Sequence, residues 1–345
     1  MCFTRAGRNA EIAVEFSQWC CVCGWATFHG MRPINISTPY FLSIYEKKKF
    51  EKKFAQIVDK KYCSSVSNGT AALEIALKTI NLKKGDQVII PNFTIISNAM
   101  AVIKQNATPV LVDCDLTTWN IKIDELEKKI TKKTKAIIAT HIYGYPIEID
   151  IIKKICLKKK LYLIEDADEM LGHKYKGKYC GYYGDISTFS IYANKHVTTG
   201  EGGLILTNNK KFYNKFNDYR NLCFGKKNRF NHEEIAWNYR FTNIQACLGL
   251  CQLGRLKSII LKKKKIGKLY YKYLKDNLPE LLEDDKFRSH DTALIKMPQK
   301  APQRAITRHE SALDLLRRVK TISDTWIKGG HQRGHNTHNV SATVS

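Results

Sequence analysis

Between residues 87 and 206, short apolar runs rich in β-branched residues alternate with segments of helical periodicity. That alternation narrows the fold to an α/β architecture, a mainly parallel sheet covered by helices. The runs at 87–90, 109–113, 136–140, 161–166, 186–191 and 203–206 are expected to be strands. Residues 70–80, 96–104, 123–130 and 149–159 place apolar side chains three and four positions apart and are expected to be helices. A longer helical pattern from residue 243 to about 274 carries the chain away from the sheet.

With 345 residues, 43% of them hydrophobic, the chain has material for one large domain and a smaller one. No stretch of eighteen apolar residues occurs, so no membrane span or membrane partner is expected. The eleven cysteines are scattered, and Cys156, Cys247 and Cys251 lie inside apolar runs, as buried thiols do in a reduced, cytoplasmic protein. Cys20, Cys21 and Cys23 have no second cysteine pair at zinc-ribbon spacing, and His331, His335 and His338 lie in a loop-like stretch; no metal is expected. The net charge of +25 raises the question of nucleic acid. Its lysines are spread over helix faces, as in Glu127-Lys128-Lys129 and Lys158-Lys159-Lys160, without an aromatic-basic signature, so a solvated surface is the expectation and nucleic acid is not.

Arginine divides the chain. None occurs between Arg32 and Arg220, whereas Arg304, Arg308, Arg317, Arg318 and Arg333 crowd the last stretch among His, Ser and Thr. Residues 1–30, rich in Cys and Trp, differ from the middle as well. The expected organisation is an atypical extension at 1–30, a large domain at 31–254, a helix at 255–285 leading to an atypical or incomplete small domain, and a tail at 286–345.

Three segments carry chemistry. Ser67-Asn68-Gly69-Thr70 opens a helix, where backbone N–H groups and the Thr70 hydroxyl can hold a phosphate, or where a hydroxyl simply caps the helix beside a glycine. Leu161 to Asp166 is an apolar strand ending in two carboxylates, and ligands in such sheets bind at the carboxyl ends of strands. Asp166 suits a partner for a pyridine nitrogen that must stay protonated. The third segment, Asp185 to Gly203, places Lys195 between a strand and a glycine-rich turn, with the Ser190 hydroxyl five residues earlier. A lysine amine delivered there can serve as a Schiff-base nucleophile and the serine as a phosphate ligand, or the lysine can be one more structural lysine in a chain rich in them.

In this order and spacing, the three segments closely resemble the DegT/DnrJ/EryC1/StrS family of pyridoxal-phosphate (PLP)-dependent sugar aminotransferases. Further matching segments are Gly85 to Pro91, His141-Ile-Tyr-Gly-Tyr-Pro146, and Asn238 to Ala246. The resemblance implies the aspartate aminotransferase-like fold, with a three-layer large domain. It implies pyridoxal 5'-phosphate as cofactor, Lys195 as its Schiff-base lysine and Asp166 as partner of the pyridine nitrogen. Glu169 would lie near the cofactor's phenolic oxygen, and Gly69, Thr70 and Ser190 would contact its phosphate. Asn238 and Arg240 would serve the neighbouring subunit's site in a homodimer.

The implied reaction moves an amino group from glutamate, leaving 2-oxoglutarate, to a nucleotide-linked 4-keto-6-deoxy sugar. A retained lysine speaks against the dehydratase members, in which histidine replaces it. The chain departs from the pattern after Pro91-Asn92-Phe93-Thr94, where Ile95 replaces the ring-stacking aromatic residue. An aliphatic side chain there packs with less stacking energy, which predicts weakened cofactor binding. Ile95 and the altered ends motivate a second reading, an impaired homologue kept for binding or regulation.

Overall fold

A computed structural model describes residues 44–116, 118–225, 228–232 and 234–277. The expected extension at 1–30, the tail at 286–345, and the Cys20–Cys23 and His331–His338 groups lie outside them. The described residues divide into two units, one within residues 44–114 and 120–259, the other within residues 115–119 and 260–277.

The first unit contains a seven-stranded sheet. Its strands are β1 (Tyr62–Val66), β2 (Gln87–Pro91), β3 (Thr108–Val112), β4 (Thr134–Thr140), β5 (Tyr162–Asp166), β8 (Ile186–Ser190) and β9 (Gly203–Thr207), in the order β1-β9-β8-β5-β4-β2-β3. A separate two-stranded ribbon pairs β6 (Lys174–Tyr175) with β7 (Lys178–Tyr179). From β3 to β8 every pairing is parallel, while β9 runs antiparallel to both β8 and β1.

Alternation along each strand supplies two cores, one on either face. On one face Val88, Ile90, Ala136, Ile138, Ile164, Ile186 and Ile205 pack with α2 (Gly69–Thr79), α3 (Ser97–Ile103) and α6 (Lys210–Tyr219). On the other, Ile89, Ile137, Ala139 and Leu163 pack with α4 (Ile123–Leu126) and α5 (Ile149–Lys159). A sheet buried on both faces needs strands apolar at every position, which is why these runs stood out in the sequence.

Helix α1 (Ile44–Val58) and strand β1 were not legible in that pattern. Helix α1 hides Phe50, Phe54 and Val58 among lysines, yet Phe54 meets Phe189 edge to face at 5.1 Å and Phe50 stacks on Phe241 at 5.7 Å. Strand β1 reads Tyr-Cys-Ser-Ser-Val and is polar at its centre. Its Ser65 is satisfied from α1, because Glu51 Oε1 accepts from Ser65 N–H at 2.8 Å and from Ser65 Oγ at 2.7 Å. Arg220, just past α6, closes the network by donating to Glu51 Oε1 and to Ser65 O, each at 2.7 Å. The expected long C-terminal helix is two, α7 (Asn243–Gly254) and α8 (Leu256–Asn277), broken at Arg255, which caps α7. Thr242 opens α7 with a capping box closed by Gln245. No single described helix is long and apolar enough to cross a membrane.

One buried cation is costly. Lys60 Nζ donates to Gly184 O at 2.5 Å, and burial holds its amine down to about 8 from 10.5, only partly countered by Glu165. A lowered folded-state pKa means that the amine releases its proton at lower pH in the folded chain than in the unfolded one. Stability from this group therefore rises with pH between about 8 and 10.5. Wild type is expected to gain about 2 kcal/mol relative to Lys60→Met between roughly pH 7.5 and pH 9.5. Urea denaturation at the two pH values measures it, and equal differences at both would refute the assignment.

Candidate active site

Register puts the site at one edge of the sheet. Thr140 pairs with Asp166 and Asp166 with Thr188, so the carboxyl ends of β4, β5 and β8 lie side by side. Because β9 is antiparallel, its first residue, Gly203, joins the same edge opposite Ser190 and opposite Val66, the last residue of β1. The chain leaves β1 there and enters α2 at once. At Gly203 a Cβ would run into the backbone carbonyl of Asn68, so only glycine admits this approach.

Asn68 caps α2 by accepting from Ala71 N–H at 2.8 Å, so the cap is this amide rather than a hydroxyl. The first two N–H groups of the helix, on Gly69 and Thr70, have no acceptor among the described residues and stand at the positive end of the helix dipole. Gly69 abuts the end of β8: a Cβ on it would come within 3.2 Å of Ser190 Cβ and would collide with Asp168 Oδ2. The Thr70 hydroxyl shares a hydrogen bond with Ser97 Oγ at 2.9 Å.

The two carboxylates ending β5 point to opposite faces, as adjacent strand residues must. Both are fully buried. Glu165 accepts from Gly181 N–H at 2.5 Å and Gly184 N–H at 2.7 Å, and lies 3.1 Å from His141 Nε2. Ile147 N–H donates to His141 Nδ1 at 3.1 Å, which leaves the ring proton on Nε2, facing Glu165. Burial pushes the Glu165 carboxyl up, but His141 and the two backbone donors outweigh it and hold it below its ordinary value. This residue shapes the loop below the site.

Asp166 takes the other face. Thr140 Oγ1 donates to its Oδ2 at 3.3 Å, and Asp168 N–H donates to its Oδ1 at 3.3 Å. Asn98 Nδ2 bonds Thr140 Oγ1 at 2.8 Å and Thr94 Oγ1 at 2.9 Å, tying the Pro91–Thr94 segment to the strand edge. Burial raises the Asp166 carboxyl despite these donors.

Lys195 lies beyond β8 in a turn closed by its N–H to Tyr192 O at 3.0 Å. Its Nζ stands 3.6 Å from Glu169 Oε1, while Glu169 Oε2 accepts from Tyr143 N–H at 2.8 Å. Gly69, Ser190, Asp166, Glu169 and Lys195 thus gather at one edge. Asp168 touches Gly69 and interacts electrostatically with Asp166, Lys195 and Glu169; its one signal in the sequence is that it is a third acidic side chain, two positions beyond Asp166.

Ile95 is 63% exposed, and Phe93 packs edge to face on Tyr143 at 6.1 Å. Arg240 Nε donates to Asn238 Oδ1 at 2.8 Å and Arg240 Nη1 to Asn221 Oδ1 at 3.4 Å, so this pair bonds to its own neighbourhood rather than to Lys195 or Asp166. Among the described residues no cluster of three or more His, Cys, Asp or Glu has the arrangement of a metal site.

A largely parallel sheet with helices on both faces carries, at one edge, a helix N-terminus with two free N–H groups, a buried strand-end aspartate and a lysine. The chain belongs to the DegT/DnrJ/EryC1/StrS aminotransferase family, whose pattern it matches over residues 40–323, a span that runs past Lys286. It is 43% identical over 225 residues to the GDP-perosamine synthase of Escherichia coli O157:H7, covering 65% of this chain and 62% of that one. It spans 58% to 62% of the length of three GDP-perosamine synthases that it matches. Among solved structures, the aminotransferase from Psychrobacter cryohalolentis superposes with a TM-score of 0.63 at 32% identity, over 72% of this chain and 68% of that one. A Streptococcus pneumoniae protein solved in its PLP form gives a TM-score of 0.62 at 28% identity, over 67% and 64%.

The residues present fit such a cofactor at both ends. The Gly69 and Thr70 N–H groups beside Ser190 suit a phosphate. Asp166, buried and raised by that burial, is a carboxylate for which a cationic ring nitrogen would be the stabilising partner.

Proposed function

We propose that the chain is a PLP-dependent aminotransferase that moves an amino group from glutamate to a nucleotide-linked 4-keto-6-deoxy sugar, in the manner of a perosamine synthase. The observation that carries this reading is the convergence of Lys195, Asp166, Ser190 and the α2 N-terminus on one sheet edge. The 43% identity to a GDP-perosamine synthase supports the sugar class.

When bound, PLP supplies an aldehyde that takes up the amino group and a ring that accepts electrons from the substrate's Cα. The chain's own residues do the rest. Asp166 would keep the ring nitrogen protonated, and Gly69, Thr70 and Ser190 would hold the phosphate. The Lys195 amine would hold the aldehyde and would serve as the group that moves protons, as a general acid and base. Glu169, 3.6 Å from the amine and braced by Tyr143 N–H, orients Lys195.

A homodimer with shared sites is part of the proposal. Ile96 just before α3, Met100 and Ile103 on α3, and Ile244 and Leu248 on α7 are exposed apolar side chains that a second copy would cover; Asn238 and Arg240 would serve the neighbour's site as the family resemblance implies. Of the cysteines expected to be buried, Cys156 is, while Cys247 and Cys251 on α7 are half-buried; with Cys63 and Cys180, Cys156 is a buried free thiol, which supports a reducing, cytoplasmic location.

The test is a two-stage assay. Purified protein with PLP and glutamate should form 2-oxoglutarate in an amount limited by enzyme. Adding a GDP-linked 4-keto-6-deoxy sugar should then permit turnover and yield the amino sugar by mass spectrometry. Half-reaction without sugar turnover would retain the transaminase and discard the acceptor; neither stage proceeding would defeat the proposal.

A further inference from the structure

Asp168 sits where a carboxylate is electrostatically out of place. Its Oδ2 occupies the space that a side chain on Gly69 would take, next to the first N–H groups of α2 and to Ser190. The residue as a whole is part-buried, but Oδ1 is shut off from solvent and has no hydrogen-bond partner among the described residues. Its carboxyl interacts with Asp166, whose own carboxylate is buried.

The charges facing it do not balance. On its own segment stand Asp166 and Glu169; from the turn beyond β8 comes Lys195; His141, at the end of β4, acts on Asp166. Three carboxyls against one amine already overfill the pocket with negative charge, and a phosphate at Gly69 would add more. The proton therefore has a preferred owner. Asp166 accepts from Thr140 Oγ1 and from Asp168 N–H, which favour its anion, whereas Asp168 Oδ1 receives no donor that would favour its own. Burial, followed by the charge of Asp166, raises the Asp168 carboxyl well above the ordinary range.

We propose that Asp168 is a further residue of the cofactor pocket, present as the neutral acid, and that its ionisation weakens the hold of the pocket on the cofactor's phosphate. Neutral, it gives the pocket an O–H donor directed at Asp166 and leaves the anion site at Gly69 free of a competing charge. When pH rises and the proton is lost to solvent, two carboxylates face each other beside the phosphate. Like charges in a buried pocket are repelled strongly, so the phosphate is held less well. This inference rests on the PLP reading above, and it makes the pocket of this chain sensitive to alkali in a way that a neutral residue at position 168 would not.

Binding of pyridoxamine 5'-phosphate tests it, because this probe carries the phosphate and ring but cannot form a covalent bond with Lys195. Its affinity for cofactor-stripped full-length protein is measured by quenching of tryptophan fluorescence between about pH 6 and about pH 9, for wild type, Asp168→Asn and Asp168→Ala. Titration of the probe is common to all three proteins and cancels in the ratio of dissociation constants. Thermal unfolding without probe identifies any variant that does not fold, and the other replacement then carries the comparison. The expected result is that wild type loses affinity relative to the neutral variant by roughly tenfold or more across the range. A ratio that stays constant with pH overturns the proposal while leaving the cofactor reading intact. Failure of every protein to bind the probe at any pH overturns both.

Discussion

Lys195→Ala is expected to abolish the absorbance band that forms when PLP joins the protein, and to lower transamination by at least about a thousandfold. Lys195 is the described lysine whose amine lies within 4 Å of Glu169, at the sheet edge where the candidate cofactor residues gather. Its loss removes both the anchor for the aldehyde and the group that carries protons. Fold should survive, because the side chain is 21% exposed and its one ion pair is to a partly exposed carboxylate. The spectrum with PLP, before and after glutamate, is the measurement. A band of normal intensity in the variant would place the reactive amine elsewhere and undo the site as drawn.

Glu165→Ala is expected to have the largest effect on stability, about 3–5 kcal/mol, out of the roughly 5–15 kcal/mol available to a domain. The carboxylate is wholly buried, and its removal leaves the N–H groups of Gly181 and Gly184 and the His141 Nε2 proton without an acceptor. Glu165→Gln retains one acceptor but turns an amide N–H₂ toward a donor, so an intermediate loss is expected. Acid supplies an independent check. A folded-state pKa held below the ordinary 4.5 contributes stability that is present above that value and is lost as pH falls through the folded value. The gap between wild type and Glu165→Gln should therefore narrow on acidification below about pH 4.5. Denaturation midpoints over that range would expose a different role if the gap stayed constant.

Both predictions concern residues of motifs visible in the sequence, yet only one of the two roles was legible there. Lys195 stands out because a strand, a hydroxyl and a glycine-rich turn surround it in a fixed order. Glu165 and Asp166 are equivalent in sequence, two acids closing one apolar run. Sheet register sends Asp166 toward α2 and Glu165 toward His141 and the Gly181–Gly184 loop. The significance of Asp168 is not legible in the sequence, because it lies in its approach to Gly69 and its electrostatic interaction with Lys195, 99 and 27 residues away in the chain.

Fold class, the six apolar strands and the helices between them followed from the sequence, because burial on both faces of a parallel sheet demands continuous apolar runs and amphipathic covers. Periodicity is a local property, so a local reading recovers it. Strand β1 and helix α1 escaped that reading, since Ser65 depends on Glu51 and Arg220 for its hydrogen bonds and α1 shows a mostly lysine-rich surface. The antiparallel placement of β9 between β8 and β1, which brings Gly69 to Ser190, likewise required the tertiary structure. Sequence determined which residues could perform the chemistry; three-dimensional pairing decided which of them meet, because strand order and the ownership of a shared proton depend on contacts between distant parts of the chain.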